Sequence, residues 1–229
     1  MGRNAMPLWP LPLAIAAMMV AAAHLAWWLS VRDGHVPFCV PYVEGCTSIS
    51  RVARHGFGFH VFKLLMLPCA LLVGLHWWTA ARWLRAGGGA VMALGVIGAV
   101  ALAVYTTFLG SEGETYRFLR RYGVVVFFGC SYLAQVLFLR ATRNAGRAGT
   151  GGIAGAMVAV CAAMLLLGVG NTIMKASVAD AGLADRIENT LEWHLGILLV
   201  AWFALQALLW RRSRYGIEFT LRVPPRQDL

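Results

Sequence analysis

Glu192 and His194 stand two residues apart in Arg186-Ile-Glu-Asn-Thr-Leu-Glu-Trp-His194, a segment that runs straight into an apolar stretch ending at Trp210. A carboxylate beside an imidazole is raw material for general acid/base chemistry, the carboxylate orienting the ring and setting its tautomer. His60 is a further candidate base and Glu44 a further candidate orienter, so the catalytic candidates are His194, Glu192 and His60. A nucleophile is harder to name: Thr47, Ser48 and Ser50 offer hydroxyls, but none sits in a Gly-Xaa-Ser-Xaa-Gly elbow.

Sorting polar residues by depth along the apolar stretches gives this pair company at one level: Lys63, Arg120, Arg121, Tyr122, Asn171, Lys175, Glu188 and Asn189. Four of these are cations, which suit a phosphate or other anionic headgroup. Glu188 and Glu192 share one helical face, Asn189 and Trp193 the next, and Thr190 and His194 another. Lys63, Lys175 or Arg121 are natural counter-charges for Glu192. The same ring of charge would equally serve to staple helices together at headgroup level. No metal site or cofactor is expected: His55 and His60 are five apart, about 140° around a helix, unlike the adjacent-turn pair of a His-Glu-Xaa-Xaa-His motif.

The elements that must carry these residues are membrane spans. Of the residues, 59% are hydrophobic and 13% charged, and the apolar ones fall into six long runs. These lie approximately over residues 8–31, 61–84, 90–109, 122–139, 153–173 and 190–210, each near the ~20 residues a helix needs to cross the hydrocarbon. They lack the period-two alternation of barrel strands. The expected fold is an all-α integral membrane protein, a single domain of six transmembrane helices followed by a basic tail over 211–229. Ionisable groups at the edge of such spans are costly and mark a candidate site by default. The first run continues through Leu25-Ala-Trp-Trp-Leu29, too long for a signal-peptide core, and is read as a retained helix. His24 reads as a hydrogen-bonded core histidine, and His76, followed by Trp77 and Trp78, as an interface anchor.

Charge orients the bundle. Arg3, Arg82, Arg85, Arg140, Arg143, Arg147, Arg211, Arg212, Arg214, Arg222 and Arg226 fall on one side with only Glu218 and Asp228, and eight of the ten acids fall on the other. The positive-inside rule places both termini in the cytoplasm. The net charge of +10 is thus a topology signal, not a nucleic-acid footprint, and the tail suits anionic headgroups. The Arg-, Ala- and Gly-rich composition points to a bacterial inner membrane. Cys39 and Cys46 share the first outer loop, where Pro41 and Gly45 let the chain turn back, so a disulfide is sterically easy; the spacing alone does not decide it. Gly95 and Gly98 on the third span, and Gly151, Gly155, Ala159 and Ala163 on the fifth, suit close helix packing within the bundle or in a homo-oligomer.

The six-helix layout, Ser48-Ile-Ser50 ahead of the second span, the aromatic-rich Tyr122 to Phe138 stretch and Glu188-Asn-Thr-Leu-Glu-Trp193 together resemble the family of the damage-regulated autophagy modulators. That family includes post-GPI-attachment remodelling factors and the amino-terminal membrane domain of yeast cell-wall proteins tied to ceramide remodelling. The resemblance implies lipid biology without an established cofactor. The expectation is a protein that binds, organises or remodels membrane lipids at an outer headgroup-level pocket. The alternatives are an acyl transferase or hydrolase acting on a lipid ester at the same site, and a transporter or channel.

Overall fold

The computed structural model describes residues 5–84, 87–144 and 151–218. Arg3, Arg85, Arg147, Arg222 and Arg226 and the tail beyond Glu218 lie outside them. Six helices are long and apolar enough to cross a membrane: α1 (Pro10–Arg32), α4 (Gly56–Leu84), α5 (Gly88–Phe108), α6 (Glu114–Asn144), α7 (Gly151–Ser177) and α8 (Ala181–Arg212). Between α1 and α4 the chain forms two single-turn helices, α2 (Pro41–Glu44) and α3 (Ile49–Val52). The protein is an integral membrane bundle whose six crossings return the chain to the face it started from.

Several helices outrun the apolar stretches. The fourth span was expected over 122–139, but α6 starts at Glu114, and α8 starts nine residues ahead of the expected 190. Hydropathy reports only the part in hydrocarbon, whereas the helix begins where its first amides find a cap. At α8 that cap is Asp180, whose side chain accepts the Leu183 N–H at 2.7 Å.

The helices pack as a ring in the order α1, α4, α5, α6, α7, α8, with α8 closing back on α1. With lipid outside, packing rather than water exclusion holds such a ring, and small residues allow close approach. Trp77 of α4 lies directly against Gly95 of α5, leaving no room for a Cβ, and Gly98 faces Ser131 of α6. Gly151 and Gly155 of α7 face open space instead.

α7 is the loosest stave. Only 22% of its apolar window is inside the bundle, against 33–44% for the other five. Its buried residues, Ile153, Met157, Cys161 and Met164, all lie in its first half, where the Cys161 thiol approaches Gln135 Oε1 of α6 at 3.9 Å. Beyond Met164, Leu165, Leu166, Val169 and Ile173 are exposed, while Lys175 near its end still pairs with Glu188 of α8.

The two faces differ. On one, β1 (Ala5–Pro7) pairs antiparallel with β2 (Gly216–Glu218), and the Tyr215 hydroxyl donates to the Thr79 carbonyl at 2.9 Å, tying both chain ends to α4. On the other, Cys39 and Cys46 form a disulfide with Cα atoms 6.6 Å apart. These are called the terminal face and the disulfide face below.

One expectation is corrected near the terminal face. His76 is no interface anchor: it is fully buried, stacked on Trp210 with centroids 5.0 Å apart and edge-on to Trp77 and Phe203. α4 runs on two more turns to Leu84, and it is Trp78 that faces outward, with Arg82 over its ring at 4.9 Å.

Candidate functional site

The start of α8 grips the loop between α1 and α4. Asp185 pairs with Arg51 at 3.0 Å, Asn189 Nδ2 donates to the Gly45 carbonyl at 2.9 Å, and Trp193 Nε1 donates to the Thr47 carbonyl at 2.9 Å. The Ser50 N–H donates to Glu192 Oε1 at 3.0 Å. Positions 185, 189, 192 and 193 fall on one helical face, so a single surface reads four successive points of the loop. Gly45 sits at φ 60°, pressed against the Arg186 carbonyl and the Thr190 hydroxyl, where no Cβ fits. The disulfide closes the same loop around α2.

Beneath this cap lies a recess of about 80 Å³ between α1, α4, α5, α6 and α8. Its walls are apolar, among them Met19, Phe62, Met66, Leu102, Phe127 and Leu199. Its polar groups gather at the disulfide end: His24, Tyr42, Tyr105 and Glu192. Glu192 lies deep in the protein yet keeps accessible surface, because it faces this space rather than packed atoms. The His24 Nδ1–H donates to the Val20 carbonyl at 2.9 Å, which leaves Nε2 as the acceptor for the Tyr42 hydroxyl at 3.1 Å. Burial raises the Tyr42 phenol above its ordinary range, so it stays a donor at neutral pH. Trp193 and His24 meet edge to face at 5.6 Å and complete the roof.

The recess opens sideways. Val124 and Phe128 on α6, with Ile197 and Val200 on α8, line it and retain exposure.

The expected site residues distribute around the rim. Glu192 takes the Ser50 amide rather than Lys63, Lys175 or Arg121. Lys175 pairs with Glu188 at 2.7 Å, Lys63 donates to the Thr107 carbonyl at 2.7 Å, and Arg120 donates to the Ser111 carbonyl at 2.7 Å. Arg121 and Tyr122 are exposed, Tyr122 against Phe118 at 4.2 Å, and Asn171 is half-buried on α7. His194 turns its Nδ1–H to the Thr190 carbonyl at 2.9 Å and rests edge-on against Tyr42, so Glu192 does not orient it. His60 is exposed beside Phe59, and Glu44 accepts the Val40 N–H at 2.7 Å. Ser48 caps α3. Among the described residues no three His, Cys, Asp or Glu side chains gather as metal ligands.

His24, Tyr42 and Tyr105 were not among the expected site residues. His24 does have the hydrogen bonds of a core histidine, but it also faces the recess; an apolar helical context hides that distinction. Arg51 and Arg54, in the loop, are the cations that act on Glu192.

Fold and site together define a six-span helical membrane protein with a loop-capped recess open to the side. The chain matches no protein-family model, no curated protein and no solved structure.

Proposed function

We propose that the protein binds a membrane lipid from the leaflet at its disulfide face, with part of an acyl chain in the recess and its polar end below the cap. One observation carries the reading: an apolar recess has its polar lining residues at its disulfide-face end, and Val124, Phe128, Ile197 and Val200 in its α6 and α8 walls keep exposure. Pockets that hold small apolar ligands share this form, apolar walls with a few convergent polar groups. A transport path would call for polar groups at the midplane and broken helices. Here α4 runs unbroken across Pro68, and the lining polar groups sit at one end. The resemblance to the lipid-remodelling family points the same way, although Glu192 and Trp193, the residues that carry it best, are engaged in holding the loop.

The test is lipid content. Protein purified in mild detergent is expected to carry lipid, and Val200→Phe, which fills the mouth, to lose it while unfolding at the wild-type temperature. Equal lipid content in a folded Val200→Phe protein would overturn the reading. The Tyr42–His24 hydrogen bond at the head of the recess favours a second reading, a lipid-modifying enzyme in which this pair transfers a proton. That reading requires added lipid to be turned over, and Tyr42→Phe to abolish turnover while lipid is still bound.

A further inference from the structure

We propose that the cleft between the end of α3 and the α5–α6 turn binds the phosphate of a phospholipid through Arg54, Arg117 and Arg120, while an acyl chain of the same molecule enters the recess below. This rests on the lipid-binding reading above and adds the headgroup class.

The cleft has a volume of about 490 Å³ and is lined by Arg54, His55, Ser111, Glu112, Arg117 and Arg120, with Gly110 and Gly113 at the turn. Three guanidinium groups thus face one carboxylate. Arginine forks match the oxygens of a phosphate bidentately, and each carries five N–H donors. Little of that capacity is spent inside the protein. Arg120 gives one bond to the Ser111 carbonyl at 2.7 Å, which fixes its guanidinium along the cleft wall, and Arg54 gives one to the Ser50 hydroxyl at 3.3 Å. Arg117 has only a loose contact with Glu114 at 3.4 Å, both side chains being largely exposed. Gly110, at φ 85°, lets the turn lie against the Phe59 ring and the Arg54 carbonyl, which brings the two walls together.

Ser50 joins cleft and recess. Its hydroxyl accepts from Arg54 and its amide donates to Glu192, so one residue separates the arginines from the polar head of the recess. Tyr105 also lines that head. A phospholipid, with its phosphate next to two acyl chains, pairs an anionic group with an apolar one as the cleft and recess do on either side of Ser50. Glu112 on the wall lowers the net positive charge and suits a singly charged phosphodiester better than a dianion.

The experiment compares phosphatidylglycerol with diacylglycerol of the same chain length, each titrated into delipidated protein in neutral detergent and followed by native mass spectrometry. Wild type should prefer phosphatidylglycerol. Arg54→Gln with Arg117→Gln should weaken phosphatidylglycerol by at least about tenfold, as for lost charge-assisted hydrogen bonds, and leave diacylglycerol unchanged. Arg120 is left in place because it props the turn. A double variant that holds phosphatidylglycerol as tightly as wild type overturns the proposal. Diacylglycerol bound with no preference for phosphatidylglycerol overturns the phosphate site alone, and no binding of either lipid overturns the lipid reading itself. Arginine-dependent stabilisation by inorganic phosphate without any phospholipid preference assigns the cleft to soluble phosphate and also overturns it.

Discussion

Trp193 and Glu192 each reach a backbone group of the first loop, and these bonds predict which substitutions matter. Trp193→Phe keeps an aromatic side chain but loses the pyrrole half of the buried indole and leaves the buried Thr47 carbonyl without its donor, a cost of at least about 1–3 kcal/mol. Glu192→Gln keeps an acceptor for the Ser50 amide and should cost less than Glu192→Ala. Thermal unfolding in detergent ranks these variants, and an unchanged midpoint for Trp193→Phe would remove the loop-docking account. The spacing of Asn189, Glu192 and Trp193 already shows in sequence that they share a face. Their partners do not show, because the Gly45 and Thr47 carbonyls and the Ser50 amide are backbone groups, which any residue supplies. For the same reason the expected counter-charges for Glu192 were sought among cations, when an amide at the start of α3 takes that place.

At the scale of elements, the spans were legible and the cap was not. Runs of about 20 apolar residues identify six helices because hydrocarbon length is a strong constraint. The loop over 33–55 has no such period, and its shape comes from contacts with α8 some 140 residues away, as the separation of 142 between Ser50 and Glu192 shows. Gly45 is its most exacting point, with positive φ and no space toward α8. Gly45→Ala is therefore expected to lift the loop from α8 while leaving the spans packed. Left-handed backbone alone costs a non-glycine residue roughly 1–2 kcal/mol, before the clash with the Arg186 carbonyl. Limited trypsin digestion reads the outcome: cleavage after Arg51 or Arg54 should speed up strongly in Gly45→Ala. Cleavage there at the wild-type rate would show that the loop holds its place without this contact. The disulfide limits how far the loop moves, since it closes residues 39 to 46 independently of α8.

For the whole molecule, the two faces have separate tasks. The terminal face is locked: β1 pairs with β2, Tyr215 reaches Thr79, and His76 and the aromatic residues Trp77, Phe203 and Trp210 fill the space between α4 and α8. The disulfide face holds the recess, the cleft and the more exposed half of α7. On the proposed lipid reading, a bundle with its recess at one face would meet the lipids of one leaflet, so its orientation decides which lipids those are. Two independent physical arguments agree on that orientation. In sequence, the termini and the loops after the second and fourth spans carry 11 of the 18 arginines and only two of the ten acids, a balance the positive-inside rule places in the cytoplasm. The disulfide lies at the opposite face, and disulfides persist in oxidising compartments, which argues for that face pointing away from the cytoplasm. Val43, exposed on the capping loop, and Arg212, exposed at the end of α8, are suitable reporters. In intact cells, a membrane-impermeant maleimide should label Val43→Cys at once and Arg212→Cys only after permeabilisation. The reverse pattern would place the recess in the cytoplasmic leaflet, and the arginine cleft would then face the phosphates of the cytosol rather than those of the outer surface.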